Sequence, residues 1–197
     1  MKNLFPLFII LFLSACSSTP VLPPADDIDA AWLMHRGQLA KLDAWKMTGR
    51  IAVSSETDSW HATLQWIEQP KQYTINIIAP MGQGGAHIKG NNKHVTLRSD
   101  EGKIFEANTA EELLTRHTGM RVPLEGMRFW ARGLPEPDRP GIEKLNESGH
   151  LAELNQSDWL IEFMRYHRVK GHVLPGKVFM NTADLKVKIV IDKWEFY

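Results

Sequence analysis

Cysteine is nearly absent: Cys16 is the single one in 197 residues, so no disulfide can form within the chain and stability must come from a packed core. An excess of charge of either sign is missing too. Lys plus Arg and Asp plus Glu both number 23, which leaves no broad basic surface to neutralise a phosphate backbone and excludes nucleic acid as an expected partner. The leading apolar stretch, residues 4–13, is too short to span a bilayer. Glycine-rich phosphate loops, nucleophile elbows and metalloprotease helix motifs are lacking. Neither His167 with His172 nor His87 with His94 has the two-on-one-face spacing of a helical zinc site, and the carboxylates are scattered over turns and polar strand positions. No metal, no cofactor and no enzymatic chemistry is expected.

What is present begins with a leader. Lys2 and the amino terminus supply positive charge, residues 4–13 form the apolar core of a secretory signal peptide, and Leu13-Ser14-Ala15-Cys16 follows. That tetrad resembles the lipobox of bacterial lipoproteins, which implies cleavage after residue 15 and lipid on Cys16. In that class a serine at position 17, where aspartate would retain the protein in the inner membrane, implies sorting to the outer one. The expected organisation is a signal peptide over residues 1–15, a lipidated tether over 16–26 carrying Pro20, Pro23 and Pro24, and one domain over 27–197.

Within that domain Ile28, Ala31, Trp32, Leu39 and Leu42 recur at helical spacing, with Asp26 or Asp27 suited to cap the first turn. The period then changes from 3.6 to 2. Trp60, Ala62, Leu64 and Trp66 alternate with polar residues, as do Tyr73, Ile75 and Ile77, and further strands are predicted over 48–54, 86–90, 95–98 and 103–107. Thr109 with Glu112 opens a second helix, and Pro123 a third that Gly133 and Pro135 stop. Strands resume over 150–154, 159–166, 177–181 and 185–194 after a proline-rich connection. About ten short strands and a few helices read as a strongly curved antiparallel sheet whose concave face is covered by the helices. Periodicity leaves the interior open, because a filled core and a cavity alternate identically.

One connection stands out. Ile77-Ile78-Ala79 leaves an apolar strand for Pro80-Met81-Gly82, with Gly84 and Gly85 beyond. Met81 either folds back onto the core, for which a flexible thioether is suited, or forms an exposed apolar tip that touches another hydrophobic surface.

The stretch from Thr118-Gly119 through Pro123-Leu124, Trp130 and Gly133-Leu134-Pro135 resembles the central segment of the LolB family of outer-membrane lipoprotein receptors. The lipobox, the Trp66 strand, the Pro80-Met81-Gly82 loop and the closing strand ending near Trp194 extend the resemblance over nearly the whole chain. It implies a half-open antiparallel barrel of about ten or eleven strands, capped by helices, whose apolar cavity takes lipoprotein acyl chains from the periplasmic carrier LolA for insertion into outer-membrane phospholipid. It further implies that Met81 stands where the family carries a leucine needed for insertion, and that the protein acts as a monomer on the periplasmic face of the outer membrane. Strand face and apolarity nominate Leu64, Trp66, Tyr73, Ile75, Ile77, Leu97, Phe163 and Ile189 to line the cavity, although each also suits plain core. Two other readings use the same tether. An anchored hydrolase or sugar-binding module requires a polar cleft with convergent carboxylates or histidines, and a structural assembly protein requires a broad exposed apolar patch and no void.

Overall fold

A computed structural model describes residues 22–80, 84–91 and 93–197. The leader, Cys16 and the first part of the tether lie outside the described residues.

Among the described residues the fold is one large antiparallel sheet with three helices. Its strands are β1 (Trp45–Ser55), β2 (Ser59–Gln69), β3 (Gln72–Ile78), β4 (Gly85–Gly90), β5 (Val95–Ser99), β6 (Ile104–Ala107), β7 (Gly141–Leu145), β8 (Leu151–Gln156), β9 (Trp159–Met164), β12 (Lys177–Asn181) and β13 (Leu185–Phe196). A separate hairpin pairs β10 (His167–Val169) with β11 (His172–Leu174). The eleven-stranded sheet runs β6-β5-β4-β3-β2-β1-β13-β12-β9-β8-β7, so β6 and β7 are open edges and the barrel is half-open. Consecutive hairpins build each half, and the pairing of the first strand with the last joins them.

Strict alternation puts one face of each long strand inside. On β1, Trp45, Met47, Ile51 and Val53 are buried while Arg50 and Ser54 face solvent, and on β13 Val187, Ile189 and Ile191 are buried against the exposed Lys186 and Lys188. A bulge between Thr48 and Gly49 bends β1 against β13. A side chain at Gly49 would meet the Val190 carbonyl oxygen at 2.1 Å, so the two backbones approach this closely only with glycine there.

Helices cover the concave face. Helix α1 (Ile28–Ala40) is capped by Asp27, whose carboxylate accepts from the Ala30 N–H, and it buries Trp32, His35 and Leu39. Helix α2 (Ala110–Thr118) starts at Thr109, whose hydroxyl accepts from the Glu112 N–H at 3.2 Å, while Glu112 reaches back to the Asn108 N–H. It ends at Gly119 in the left-handed region at φ 72°. Helix α3 (Leu124–Trp130) follows at once.

Three strands are additional to the sequence reading. β7 is an edge strand with Ile142 exposed, so it carries no alternating signature, and β10 and β11 are three-residue strands around a turn in which Lys170 and Gly171 both have positive φ. Residues 22–25 are not a free tether. The Leu22 carbonyl accepts from the Ser148 hydroxyl at 3.2 Å and the Ala25 N–H donates to the Glu147 carbonyl at 2.8 Å, fastening this segment to the β7–β8 hairpin.

Candidate functional site

Between the sheet and the two adjacent helices lies a cavity of about 70 Å³. Its floor comes from the inward positions of neighbouring strands: Ile51 and Val53 on β1, Trp60, Leu64 and Trp66 on β2, Ile75 and Ile77 on β3, Ile88 on β4 and Val187 on β13. Its roof is Leu114 of α2, Met120 and Val122 of the connection, and Leu124 and Met127 of α3. Every lining side chain is apolar, and water gains no partner there, which is the condition for a dry void that holds hydrocarbon.

Met120 also borders a second, open cleft of about 1040 Å³ at one end of the sheet. That cleft is framed by the β1–β2, β8–β9 and β12–β13 hairpin tips together with α2 and the start of α3, and its rim carries Glu111, Arg121, Glu125, Glu136, Arg139, Asp158 and Asp184. Glu136 pairs with Arg139 at 3.2 Å and Glu125 with Arg128 at 3.4 Å. The arrangement is a polar mouth beside an apolar interior, with Met120 lining both.

The two halves of the roof are held differently. Arg128 pairs with the buried Glu68 of β2, whose other oxygen accepts from the Trp66 indole at 3.1 Å. Arg132, just past α3, is buried and donates to the carbonyls of Leu39 and Leu42 at 3.2 and 2.7 Å, locking the end of α1 to α3. The Trp130 indole donates to Gln156 of β8 at 2.9 Å. Burial raises the Glu68 carboxyl above its ordinary range against the opposing pull of Arg128, and burial lowers Arg132 to about 10. α2, by contrast, meets β5 and β6 through buried Ala110 and Leu113 and a 3.8 Å ring contact between Phe105 and His117.

Below α1 a second cluster is buried. The ring of His35 lies edge-on to that of His150 at 4.4 Å, and His150 stacks on Tyr166 at 5.0 Å. Burial, then His150 and His172, lower His35 to about 4, and burial followed by Arg168 lowers His150. Tyr166 is pushed up by burial. Among the described residues no group of three or more His, Cys, Asp or Glu is disposed to hold a metal.

Of the eight nominated residues, Leu64, Trp66, Ile75 and Ile77 line the cavity. The other four are buried on the same concave face but elsewhere. Tyr73 lies near the Glu68 end of β3 with its ring over Gly90, Leu97 is one strand beyond Ile88, Ile189 is enclosed between Ile51 and Val178, and Phe163 is on β9 in the other half of the sheet. Alternation reports which face a residue takes and not how far round the sheet its strand lies, which is why face was legible and lining was not. The roof residues Leu114, Leu124 and Met127 carried a partial signal, being apolar positions of the helices expected over the concave face. The partners Glu68, Arg128, Arg132 and Gln156 carried none, since the pairings of Glu68 with Arg128, Trp130 with Gln156 and Arg132 with Leu39 span 60, 26 and 93 residues of sequence. In the β3–β4 connection Pro80 is exposed and the Ala79 N–H donates to the Gly84 carbonyl at 3.1 Å, whereas Met81 and Gly82 lie outside the described residues.

Comparison with known proteins fits this geometry. Residues 43–194 match the family model described as outer membrane lipoprotein LolB. Proteins named outer-membrane lipoprotein LolB are similar throughout: that of Nitrosococcus oceani is 32% identical over 96% of this chain and 94% of its own length, and that of Stutzerimonas stutzeri 30% over 99% and 96%. That of Pseudomonas fluorescens is 34% identical over 84% and 80%. In fold the chain is similar to a LolA superfamily protein of Nitrosomonas europaea, with a TM-score of 0.54 at 8% identity over 89% of this chain and 94% of that one. A putative outer membrane lipoprotein-sorting protein domain of Vibrio parahaemolyticus gives 0.55 at 6% over 86% and 93%. With an apolar cavity in a half-open sheet and sequence similarity along nearly its whole length, this chain belongs to the LolB family of outer membrane lipoproteins.

Proposed function

We propose that this chain is a lipid-anchored receptor on the periplasmic face of the outer membrane that accepts lipoproteins from the carrier LolA and inserts them into outer-membrane phospholipid. The observation that carries the reading is the wholly apolar cavity between the inner face of β1–β4 and the roof of α2 and α3, with Met120 lining both it and an open polar cleft. Cargo then moves without nucleotide, by partition: each buried methylene contributes about 0.8 kcal/mol, so a difference of two methylenes in depth between carrier and receptor sets the direction about tenfold or more.

The cavity as it stands is small, about 70 Å³. An acyl chain of a dozen methylenes, each about the size of a water's ~30 Å³ share of the liquid, needs several hundred Å³. The roof must therefore open, and the half that lifts is α2 with residues 119–123. α3 is tied by Glu68, Gln156 and α1, while α2 ends on Gly119, a conformation that glycine adopts without strain. Leu64, Trp66, Ile75 and Ile77 would meet the chain as α2 lifts. Met81, between Pro80 and Gly82, is assigned to the release step as an apolar tip that enters the lipid surface. Binding of a hydrophobic fluorophore, displaced by an acylated peptide, tests acceptance. Met81→Glu is expected to leave acceptance intact and to abolish delivery to vesicles. Unchanged delivery refutes the role of the loop, and absence of fluorophore binding refutes the cavity.

A further inference from the structure

Helix α1 spans the end of the half-barrel opposite the mouth. Its first turns lie against the β7–β8 hairpin, where Ala31 packs on Gly149 and the Trp32 indole donates to Glu143 at 2.8 Å, and its last turn is held by Arg132 beneath Trp45. The mouth is framed by the β1–β2, β8–β9 and β12–β13 tips at the other strand ends, and the β3–β4 connection emerges there too.

α1 is apolar on both sides. Trp32, His35 and Leu39 face the core, yet Leu33 is 69% and Met34 65% exposed, and Ala30, Gly37 and Ala40 share their outward side. A side chain built on Gly37 would meet nothing within 4 Å, so this stripe looks into open space. A surface helix ordinarily turns charge outward, and here the only charged residue along the centre of the stripe is Lys41 at its end. Asp29 and Arg36 lie at the margins, and Arg36 is engaged with Glu143 at 3.6 Å.

The chain leading into α1 says what covers the stripe. Residues 22–25 are bound to the β7–β8 hairpin beside it, so the chain length from Cys16 to Leu22, at most about 20 Å when fully extended, bounds the distance from there to a lipid on Cys16. The six-residue β8, which leads from that hairpin to the β8–β9 tip, puts the mouth roughly 20 Å away, so the tether reaches it only at full stretch. An anchor at Cys16 therefore draws the α1 end, ahead of the mouth, to the lipid.

We propose that the outward stripe of α1, centred on Leu33 and Met34, is a seat on the phospholipid surface, which holds the receptor upright with its mouth toward the periplasm to receive cargo. Lys41 meets headgroup phosphate as the apolar side chains enter the interface. Delivery through the β3–β4 connection then requires the domain to leave the seat and tip over, with release of residues 22–25 lengthening the leash. The inference rests on lipid anchoring at Cys16.

The full lipidated chain, reconstituted in phosphatidylethanolamine–phosphatidylglycerol vesicles carrying a lipid-borne quencher, tests it. Lipidation occupies the only native cysteine, so Met34→Cys and, at the mouth, Asp184→Cys each take a single environment-sensitive fluorophore. Quenching is expected to be several-fold stronger at position 34 than at 184, and to fall several-fold when Leu33→Glu is added, with the circular dichroism spectrum unchanged. Equal quenching at the two positions, or no effect of Leu33→Glu, overturns the seat. So does a response at position 34 that needs added carrier protein or rises with receptor concentration without vesicles, since the stripe is then a protein interface. Mass analysis of the N-terminal peptide separates the two levels. A bare Cys16 refutes the anchoring and the seat together, whereas lipid on Cys16 without preferential quenching refutes the seat alone.

Discussion

Replacing Arg128 with methionine leaves the Glu68 carboxylate, 3% exposed, with only the Trp66 indole of its two side-chain partners. Removing one partner of a buried pair costs about 3–5 kcal/mol. At about 2–4 °C per kcal/mol for a domain of this size, the melting temperature should fall by roughly 6–20 °C at pH 8. The loss should depend on pH in a definite sense. Burial already raises the Glu68 carboxyl, and without the guanidinium it rises further. A group whose folded value lies above its unfolded one favours the folded state most at low pH, and that contribution is lost as pH rises through the folded value. The variant should therefore melt closer to the wild type at pH 5 than at pH 8. Glu68→Gln combined with Arg128→Met removes the charge, keeps an acceptor for Trp66, and should recover most of the loss. Thermal melts by circular dichroism at the two pH values measure all three proteins. An equal drop at both pH values, or a double variant no better than the single one, would refute the view that a buried, uncompensated carboxylate sets the penalty.

Two further outcomes follow from the same geometry. His35 is held near 4 against an unfolded value of 6.5, so stability present above pH 6.5 should be lost as pH falls toward 4, by up to about 3 kcal/mol; urea midpoints across that window should show the slope in the wild type and a much weaker one in His35→Phe. Val187→Phe should fill much of the cavity, cost about 1–3 kcal/mol in stability and weaken hydrophobic-fluorophore binding at least tenfold, while Ile142→Phe on the exposed edge strand leaves binding unchanged in the same titration.

How far the fold was legible follows from what local pattern encodes. Two-residue alternation gave β2 and β3 to within a few residues of their ends, and the cap signals at Asp26 or Asp27 and at Thr109 gave the starts of α1 and α2, because both signals lie within a few residues of where they act. Edge strand β7 faces solvent on most of its positions and left no alternation to read. The division of the concave face into cavity and core depends on which strands the helices cover. That is decided by contacts such as Arg132 to Leu42 and Arg128 to Glu68, between residues far apart in the chain and of types that usually sit on surfaces. The family resemblance supplied the receptor reading and the half-open architecture, which periodicity by itself left open between void and filled core.

The tryptophans give the protein an optical gauge of its own. Trp66 lines the cavity, lies 5.6 Å from Trp45, and Trp45 in turn lies 5.4 Å from Trp194. Three indoles this close exchange excitation energy, so hydrocarbon arriving beside the first perturbs the emission of all three. Loading and unloading then become visible as a colour and intensity change in the unlabelled protein, in real time and on the membrane.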